Sequence, residues 1–473
     1  MVFNSYTFVV FLAVVIGFHY SPFSWRAKKV MLIVASYLFY AAWNPPFVLI
    51  LVFSTIVDWN LAQRIFHATS ESRRKFYLIC SLSVNLGVLG FFKYGGFLLD
   101  NFEKTLHQAG VNYQAPAMDI ILPVGISFYT FQTLSYSIDV YRRRLDPWHS
   151  FTDYALFVTF FPQLVAGPIV RARDFLYQTI EPKVASMKHM SWGFSLIVLG
   201  LFQKIVLADG LFAPVVEKVY DSTQVVSPLA ASIGTIAFAG QIFCDFAGYS
   251  TVAIGVAMCL GFAFPDNFRF PYAAIGFSDF WQRWHISLSS WLRDYLYIGL
   301  GGNRHGTVRT YRNLMLTMLL GGLWHGASWN FVVWGGLHGL YLVLERAAVA
   351  LVGAWPGWKT FAGQIFLSFV TFFLVCLAWV FFRAPSFDKA FEIVAAGFFL
   401  NPVREVYVSL ADSLTVLALM AALMIAHRLL RNTTLEDAAS RIPASIRGIV
   451  LGIMLTLIAL SPGEDRAFIY FQF

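Results

Sequence analysis

A histidine lies in a short glycine-rich stretch between two apolar runs. The stretch reads Gly-Gly-Leu-Trp-His-Gly-Ala-Ser-Trp-Asn over 321–330 and contains His325, and the apolar runs cover 314–320 and 331–344. An ionisable group at membrane depth is costly and usually functional, so His325 is a candidate general base. A histidine that is simply hydrogen-bonded between packed helices explains the same pattern. Gly321, Gly322 and Gly326 allow the backbone to bend and other groups to approach the imidazole.

A second histidine, His285, lies in a segment over 277–300 that has one aromatic and one charged side. This helical spacing predicts an amphipathic helix in the membrane interface, with His285 at the border of its faces. The imidazole can point inward from the membrane surface, or it is an interfacial aromatic anchor. The apolar side contains Phe277, Phe280, Trp281, Trp284, Leu288, Trp291, Leu292 and Tyr295, and the polar side contains Asp279, Arg283, Ser290, Arg293 and Asp294.

The composition shows what kind of scaffold must position these residues. Of 473 residues, 58% are hydrophobic and only 13% are charged, with a mean hydropathy of +0.64, whereas soluble proteins carry about 25% charged residues. This predicts an all-α polytopic membrane protein with about 11 transmembrane or re-entrant helices. No long polar stretch interrupts it, so a single membrane domain over 1–473 is expected. The net charge of +8 is typical of basic cytoplasmic loops and does not indicate a nucleic-acid partner.

Basic loops predict the orientation of the spans. Clusters at 26–29, 64–75 and 142–144 alternate with apolar runs, which places these loops inside and the N-terminus outside, with an external loop over 100–118. The segment 151–170 has basic residues near both ends and prolines at 162 and 168, which favours re-entry. Counting charges from both ends places His325 near mid-bilayer, at the tip of a hairpin whose first arm has about ten residues.

Three further features carry polar or aromatic groups. Asp245 lies in the apolar run 229–260, which we expect to be interrupted there and at its glycines, and it either lines a site or bonds to a neighbouring helix. Arg304 and Arg312 flank a glycine turn that suits a phosphate, although a basic cytoplasmic loop needs no ligand. The last residues, 468–473, read Phe-Ile-Tyr-Phe-Gln-Phe around Tyr470, and an interfacial aromatic belt explains part of this pattern.

Five stretches, in this order, resemble the membrane-bound O-acyltransferases. They cover 122–128, 160–168, 280–295, 301–304 and 324–330, and the resemblance is to the branch of alginate O-acetyltransferase membrane proteins, related to the membrane protein of teichoic acid D-alanyl transfer. The resemblance implies that His325 is the essential catalytic histidine and that His285 is a second functional histidine on the cytoplasmic side of a central tunnel. The candidates for substrate contacts are Trp324, Asn330 and Arg304, which lie in the matching stretches, and Asp245 and Arg312, which lie outside them.

The same resemblance implies the route of the acyl group. Acetyl-CoA loads from the cytoplasm as donor substrate, with no bound cofactor, and the acetyl group crosses the bacterial inner membrane to a periplasmic acetyltransferase partner. That partner esterifies a polysaccharide, of alginate type as first choice and peptidoglycan or cellulose next. Tyr470, in an exposed aromatic tail over 468–473, is implied as an acyl relay, because an aryl ester is activated toward a second hydroxyl.

Two other functions remain open from the sequence. A transporter or flippase without covalent chemistry would often show internal repeats and matched broken helices, and the chain shows no convincing repeat. A lipid or protein O-acyltransferase with a long-chain donor belongs to the same family, and the aromatic tail favours an external acceptor instead.

Overall fold

The computed structural model describes residues 1–116, 120–165, 167–353, 355–399, 406–461, 466, 468 and 469. Over these residues the chain is helical, and one isolated bridge between Val226 and Val406 is the only β-type pairing. The predicted all-α fold class is confirmed.

Seven helical segments within these ranges are long and apolar enough to cross a membrane, and Tyr6–His19 and Ala444–Leu460 are shorter apolar helices. Because a bilayer core needs about 20 apolar residues per helix, the chain is a multi-pass membrane protein. The seven segments are Phe47–His67, Glu71–Gln108, Met187–Tyr220, Pro228–Cys259, Trp329–Val352, Phe361–Arg383 and Leu410–Leu430.

The chain forms two compact units. The first contains Met1–Phe194 and Ala253–Pro265. The predicted external loop over 100–118 is partly wrong, since Gly95–Gln108 is helical and continues the preceding helix through a π-helical turn. The helices of this unit are Tyr6–His19, Trp25–Ala41, Phe47–His67, Glu71–Leu89, Gly95–Gln108, Ile126–Tyr141, Phe151–Thr159, Phe161–Leu164 and Ala172–Phe175, with π-helix Gly90–Tyr94 and 3-10 helix Leu176–Thr179.

The predicted break at the prolines is present in this unit. Helix Phe151–Thr159 ends at Phe160, and a short helix, Phe161–Leu164, follows with Pro162 in its first turn. Proline has no N–H to continue the preceding helix, and it is tolerated in the first turn of a new one. The side-chain amide of Gln163 donates to the carbonyl of Phe157, so part of the freed backbone is satisfied at this buried position.

The second unit contains Ser195–Val252 and Asp266–Phe473 and carries both candidate histidines. Two helices, Met187–Leu201 and Pro228–Cys259, contribute residues to both units. The remaining helices of the second unit are Ala213–Tyr220, Phe277–Trp281, Ile286–Trp291, Thr307–His325, Trp329–Val352, Phe361–Arg383, Phe387–Gly397, Leu410–Leu430, Leu435–Ser440 and Ala444–Leu460, with π-helices Phe202–Phe212 and Leu292–Tyr297 and 3-10 helices Pro271–Ala273 and Pro356–Lys359.

Pro228–Cys259 is one continuous helix of 32 residues, so the predicted interruption of this run is wrong. Its glycines serve helix packing instead. A Cβ on Gly248 would lie 2.7 Å from the carbonyl oxygen of Gly200, and a Cβ on Gly200 would in turn overlap the carbonyl oxygen of Gly248. Small residues at such a crossing let two helix backbones approach closely.

The hairpin that carries His325 has a longer first arm than predicted. The arm is the 19-residue helix Thr307–His325, and the second arm is Trp329–Val352. At about 1.5 Å per residue, the first arm is roughly 28 Å long rather than the expected 15 Å. The helix begins directly after Gly306 and includes the basic residues Arg309 and Arg312. Charge counting placed these arginines in the preceding loop and therefore shortened the arm.

Candidate active site

His325 is the last residue of its helix, at the tip of the hairpin. The chain leaves the helix at Gly326, which has an extended backbone, and the second arm begins at Trp329. The two arms are closely packed, because a Cβ on Gly322 would overlap the carbonyl oxygen of Phe331 and would lie 3.1 Å from the Cα of Gly335. Gly322 therefore allows the two arms to approach closely, and the chain turns out of the helix at Gly326.

Aromatic rings surround the His325 imidazole. Its ring centre lies 5.0 Å from Trp324, 4.9 Å from Trp334 and 5.3 Å from Phe382. The side chain is only 3% exposed. A base in such a pocket is kept from bulk water, which strengthens its electrostatic interaction with a reacting group.

His285 lies at a sharp break in the segment that was predicted to be one amphipathic helix. The structure divides this segment into Phe277–Trp281, Ile286–Trp291 and the π-helix Leu292–Tyr297. His285 has a φ of 43°, in the left-handed region that non-glycine residues rarely adopt. The single predicted helix is therefore wrong, although its apolar side is buried or half-buried as expected.

Asn267 holds the His285 ring in place. Its Oδ1 lies 3.1 Å from Nδ1 of His285 and also accepts from the backbone N–H and the hydroxyl of Ser287, at 3.2 and 2.8 Å. Because the Ser287 N–H can only donate, this oxygen is an acceptor, and Nδ1 of His285 must carry the hydrogen. Nε2 is then the basic nitrogen. Complete burial lowers the pKa of His285 to about 3, so the ring is neutral at physiological pH.

The two histidines belong to one pocket. Their ring centres are 6.5 Å apart, and the Trp324 ring lies 6.0 Å from His285 and 5.0 Å from His325. The structure thus brings together three of the residues that the sequence singled out. Two imidazoles at this separation can act on opposite sides of one small reacting group, since a hydrogen bond spans about 3 Å.

Asp245 is buried beside an ammonium group and a segment close to the C-terminus. Its carboxylate pairs with Lys204, and its Oδ2 accepts the backbone N–H of Ile469 at 2.9 Å. Phe468 packs against Tyr249, with ring centres 4.6 Å apart. Phe468 and Ile469 are 1% and 4% exposed, so these two residues of the predicted exposed tail are buried.

The other substrate candidates lie apart from the histidine pair or have structural partners. The Asn330 side chain donates to the carbonyl of Ala384 at 2.9 Å and thereby ties the hairpin to the end of helix Phe361–Arg383. Arg304 is exposed in the glycine turn. Arg312 lies in the second turn of the helix that ends at His325, and its guanidinium donates to the side-chain oxygen of Asn313. Tyr470 lies outside the described residues.

Sequence reasoning missed three buried side chains of this region. Asn267 has no periodic signal, because its contact with His285 depends on the turn between them. Lys204 is a lone lysine in an apolar run. Because a buried charge needs a partner of opposite charge, the lysine itself could have indicated an acidic residue nearby. His338 is fully buried, with its ring centre 4.7 Å from Trp334, and within the described part of the chain its nitrogens have no hydrogen-bond partner. Among the described residues, no three His, Cys, Asp or Glu side chains are grouped as a metal ion would require.

The chain is similar to known acyltransferases over most of its length. A model of the membrane-bound O-acyltransferase family matches residues 136–382, which include both histidines. The chain is 41% identical over 403 residues to a probable alginate O-acetylase of Azotobacter vinelandii, covering 84% of this chain and 78% of that protein. It is 36% identical over 414 residues to a peptidoglycan O-acetyltransferase of Helicobacter pylori, covering 80% and 76%. A teichoic acid D-alanyltransferase of Streptococcus thermophilus is 29% identical over 238 residues, covering 47% and 57%.

Proposed function

The chain belongs to the membrane-bound O-acyltransferase family, and from this premise we propose that it moves acetyl groups from cytoplasmic acetyl-CoA to an acceptor outside the bacterial inner membrane. The structural observation that carries the proposal is the buried pocket in which His285 and His325 lie 6.5 Å apart. The names of its relatives, an alginate O-acetylase and a peptidoglycan O-acetyltransferase, favour acetyl as the acyl group and a polysaccharide as the final acceptor.

In the proposed first step, the acetyl group moves from sulfur to a phenolic oxygen. The Tyr470 oxygen attacks the thioester carbonyl carbon while Nδ1 or Nε2 of His325 takes the phenolic proton. The carbon–sulfur bond then breaks, and the proton passes from His325 to the departing thiolate. The products are an aryl acetate on the chain and free CoA, so atoms and charge balance.

In the proposed second step, a hydroxyl of a periplasmic acetyltransferase partner attacks the aryl acetate. The new ester forms on the partner, and the phenol regains a proton. The partner then esterifies the polysaccharide, for which an alginate-type chain is the first choice and peptidoglycan the next. A phenolate leaves more readily than an alkoxide, because its conjugate acid has a pKa of about 10, and this drives the transfer outward.

His285 has a separate proposed role on the donor side. Its neutral ring carries the hydrogen on Nδ1, so Nε2 can accept a hydrogen bond from the donor. An amide N–H of the pantetheine arm is such a group. This contact orients the thioester toward His325 without proton transfer by His285, which fits a histidine whose burial disfavours the charged form.

The relay is tested by incubating purified protein with acetyl-labelled acetyl-CoA and measuring acetate bound covalently to the chain. We expect label on the wild type, none on Tyr470→Phe and none on His325→Ala. Tyr407→Phe is the matched control, because Tyr407 is a 61% exposed tyrosine without a proposed role. Label on Tyr470→Phe at the wild-type level overturns the relay, and the absence of thioester cleavage by any form overturns the choice of donor.

A donor series separates the acetyltransferase from a long-chain acyltransferase of the same family. The same assay with acetyl-CoA, octanoyl-CoA and palmitoyl-CoA is expected to show cleavage that falls steeply with chain length. A preference for palmitoyl-CoA would contradict the proposed acetyl donor and favour a lipid or protein acceptor.

A further inference from the structure

A buried ion cluster in the second unit has no role in the mechanism above. The Lys204 ammonium is 3% exposed and contacts the carboxylates of Asp209, at 2.9 Å, and Asp245. Lys204 and Asp209 are five residues apart within the π-helix Phe202–Phe212, whose i→i+5 bonding brings such residues together. Buried ion pairs repay their desolvation poorly, so the cluster is weak as a device for stability alone.

Asp245 also makes a hydrogen bond to the backbone at Ile469. Its Oδ2 accepts the N–H of Ile469 at 2.9 Å, and this bond joins helix Pro228–Cys259 to a residue 224 positions later in the chain. A carboxylate that accepts a backbone N–H forms a charge-assisted bond, about twice as strong as a neutral one. Because a backbone group is held, the bond fixes the register of the chain at Ile469.

Arg466 provides a second attachment for the same segment. Its guanidinium donates to Glu217 Oε2 at 3.0 Å and to the backbone carbonyl of Asp209. Asp209 therefore pairs with Lys204 through its side chain and contacts Arg466 through its main chain. A cavity of about 30 Å³ lies at this cluster, which is large enough for water. Its lining includes Lys204, Asp209, Glu217, Asp245, Arg466 and Ile469.

Phe468 extends the contact toward the histidines. Its ring centre lies 5.8 Å from Phe246, and the Phe246 ring lies 4.6 Å from the His285 ring. Phe246 follows Asp245 in the same helix. The helix turn that holds the Ile469 N–H therefore also forms one wall of the His285 pocket.

We infer that Asp245, held in place by Lys204, is a positioning residue that docks the segment containing Arg466, Phe468 and Ile469 beside His285. The inference deepens the proposed function and rests on it in one respect, which is that Tyr470 receives the acetyl group. Tyr470 is the next residue after Ile469, and consecutive Cα atoms are about 3.8 Å apart. Holding the Ile469 N–H thus limits how far the acceptor residue can move from the pocket.

The docking is tested first without any acyl chemistry, in full-length protein that carries Ile469→Cys. This substitution keeps the backbone N–H and places a thiol at a position that is 4% exposed. The rate of its reaction with a maleimide is compared with and without Asp245→Ala, after subtraction of the parent protein, in which Cys80 is half-buried and the other cysteines are buried. Loss of a charged hydrogen bond is expected to raise the rate about tenfold or more.

Asp153→Ala is the matched control. Asp153 also pairs with a lysine, Lys29, and is also largely buried, but it lies in the first unit. We expect no change in the labelling of Cys at position 469. If Asp245→Ala does not fold, Asp245→Asn keeps an acceptor oxygen and removes only the charge, and a rise of about threefold is expected. Equal labelling rates in the parent, Asp245 and Asp153 variants would overturn the inference.

Protein that keeps Ile469 gives a second measurement, whose result differs from that of a loss of folding. The ratio of acetate bound to the chain to thioester cleaved is expected to fall about tenfold in Asp245→Ala, whereas partial unfolding lowers both quantities together. An unchanged ratio would overturn the positioning role. If no form cleaves the thioester while the thiol rates still differ, the docking stands and the proposed function fails.

Discussion

The ring of His285 lies 6.5 Å from the ring of His325, although His285 lies in the break before helix Ile286–Trp291 and His325 is the last residue of helix Thr307–His325. His325 is fixed by a glycine-packed hairpin, and His285 by a left-handed residue conformation and the side chain of Asn267. Each imidazole therefore has its own support. Changes to either support should lower the rate of thioester cleavage.

The Asn267 side chain sets the tautomer of His285. Asn267→Ala removes the acceptor of Nδ1–H, so the ring can rotate or change tautomer, and we expect kcat for thioester cleavage to fall about tenfold. Asn267 Oδ1 also accepts from Ser287, so the melting temperature should fall as well, and by more than in Asn60→Ala, a control whose amide bonds within its own helix. We therefore expect the fall in kcat when equal amounts of folded protein are compared. A kcat that stays at the wild-type value would show that the tautomer has no role.

The buried His285 side chain should make the stability of the protein sensitive to acid. The pKa of His285 is lowered to about 3 by burial, whereas an unfolded histidine titrates near about 6.5. Between these values the unfolded chain binds a proton that the folded chain does not, so stability is lost as the pH falls through this window. We expect the apparent melting temperature to fall between about pH 6.5 and about pH 4, and less steeply in His285→Gln. Parallel curves for the two proteins would contradict this.

The close packing of the hairpin arms predicts different effects for alanine at two glycines, Gly322 and Gly336. A methyl group on Gly322 would overlap the carbonyl oxygen of Phe331, and Gly322→Ala should cost about 1–3 kcal/mol of stability and displace His325. Gly336 lies in the second arm, where a Cβ would make an ordinary 3.6 Å contact with Leu319. Gly336→Ala should therefore keep both melting temperature and activity. Equal behaviour of the two variants would contradict the packing account.

The glycine turn offers a test of donor binding. If Arg304 and Arg312 contact the CoA phosphates, Arg304→Ala and Arg312→Ala should each raise the KM for acetyl-CoA about three- to tenfold and leave kcat largely unchanged. Arg173→Ala is the control, because Arg173 is a half-exposed arginine of the first unit. A fall in kcat without a change in KM would argue against a role in binding.

The sequence was most informative where the chemistry is local. The residues around His325, from Gly321 to Asn330, predict a tight hairpin, and the structure has one there. The sides of the segment around His285 were also predicted correctly, because apolar spacing survives a short interruption. The break itself was not visible, since one residue with positive φ changes the direction of the chain without changing that spacing.

Long-range contacts were beyond reach of the sequence. Asn267 contacts His285 across 18 residues, and Asp245 contacts Ile469 across 224. Neither pair lies in one helix, so helical periodicity carries no information about it. The length of the arm before His325 was misjudged for a different reason. Arginines in the first turns of a helix were counted as part of the loop, and helix boundaries are the least reliable part of such predictions.

The most direct measurement compares thioester cleavage by His325→Asn and His427→Asn with that of the wild type. His427 is also buried in the second unit, but its Nδ1 accepts the backbone N–H of Tyr272 at 3.2 Å, a bond that asparagine can replace. The initial rate of CoA release from acetyl-CoA should fall at least about a hundredfold in His325→Asn and stay close to the wild-type rate in His427→Asn. Release by His325→Asn at the wild-type rate would contradict the role of His325 as the catalytic base.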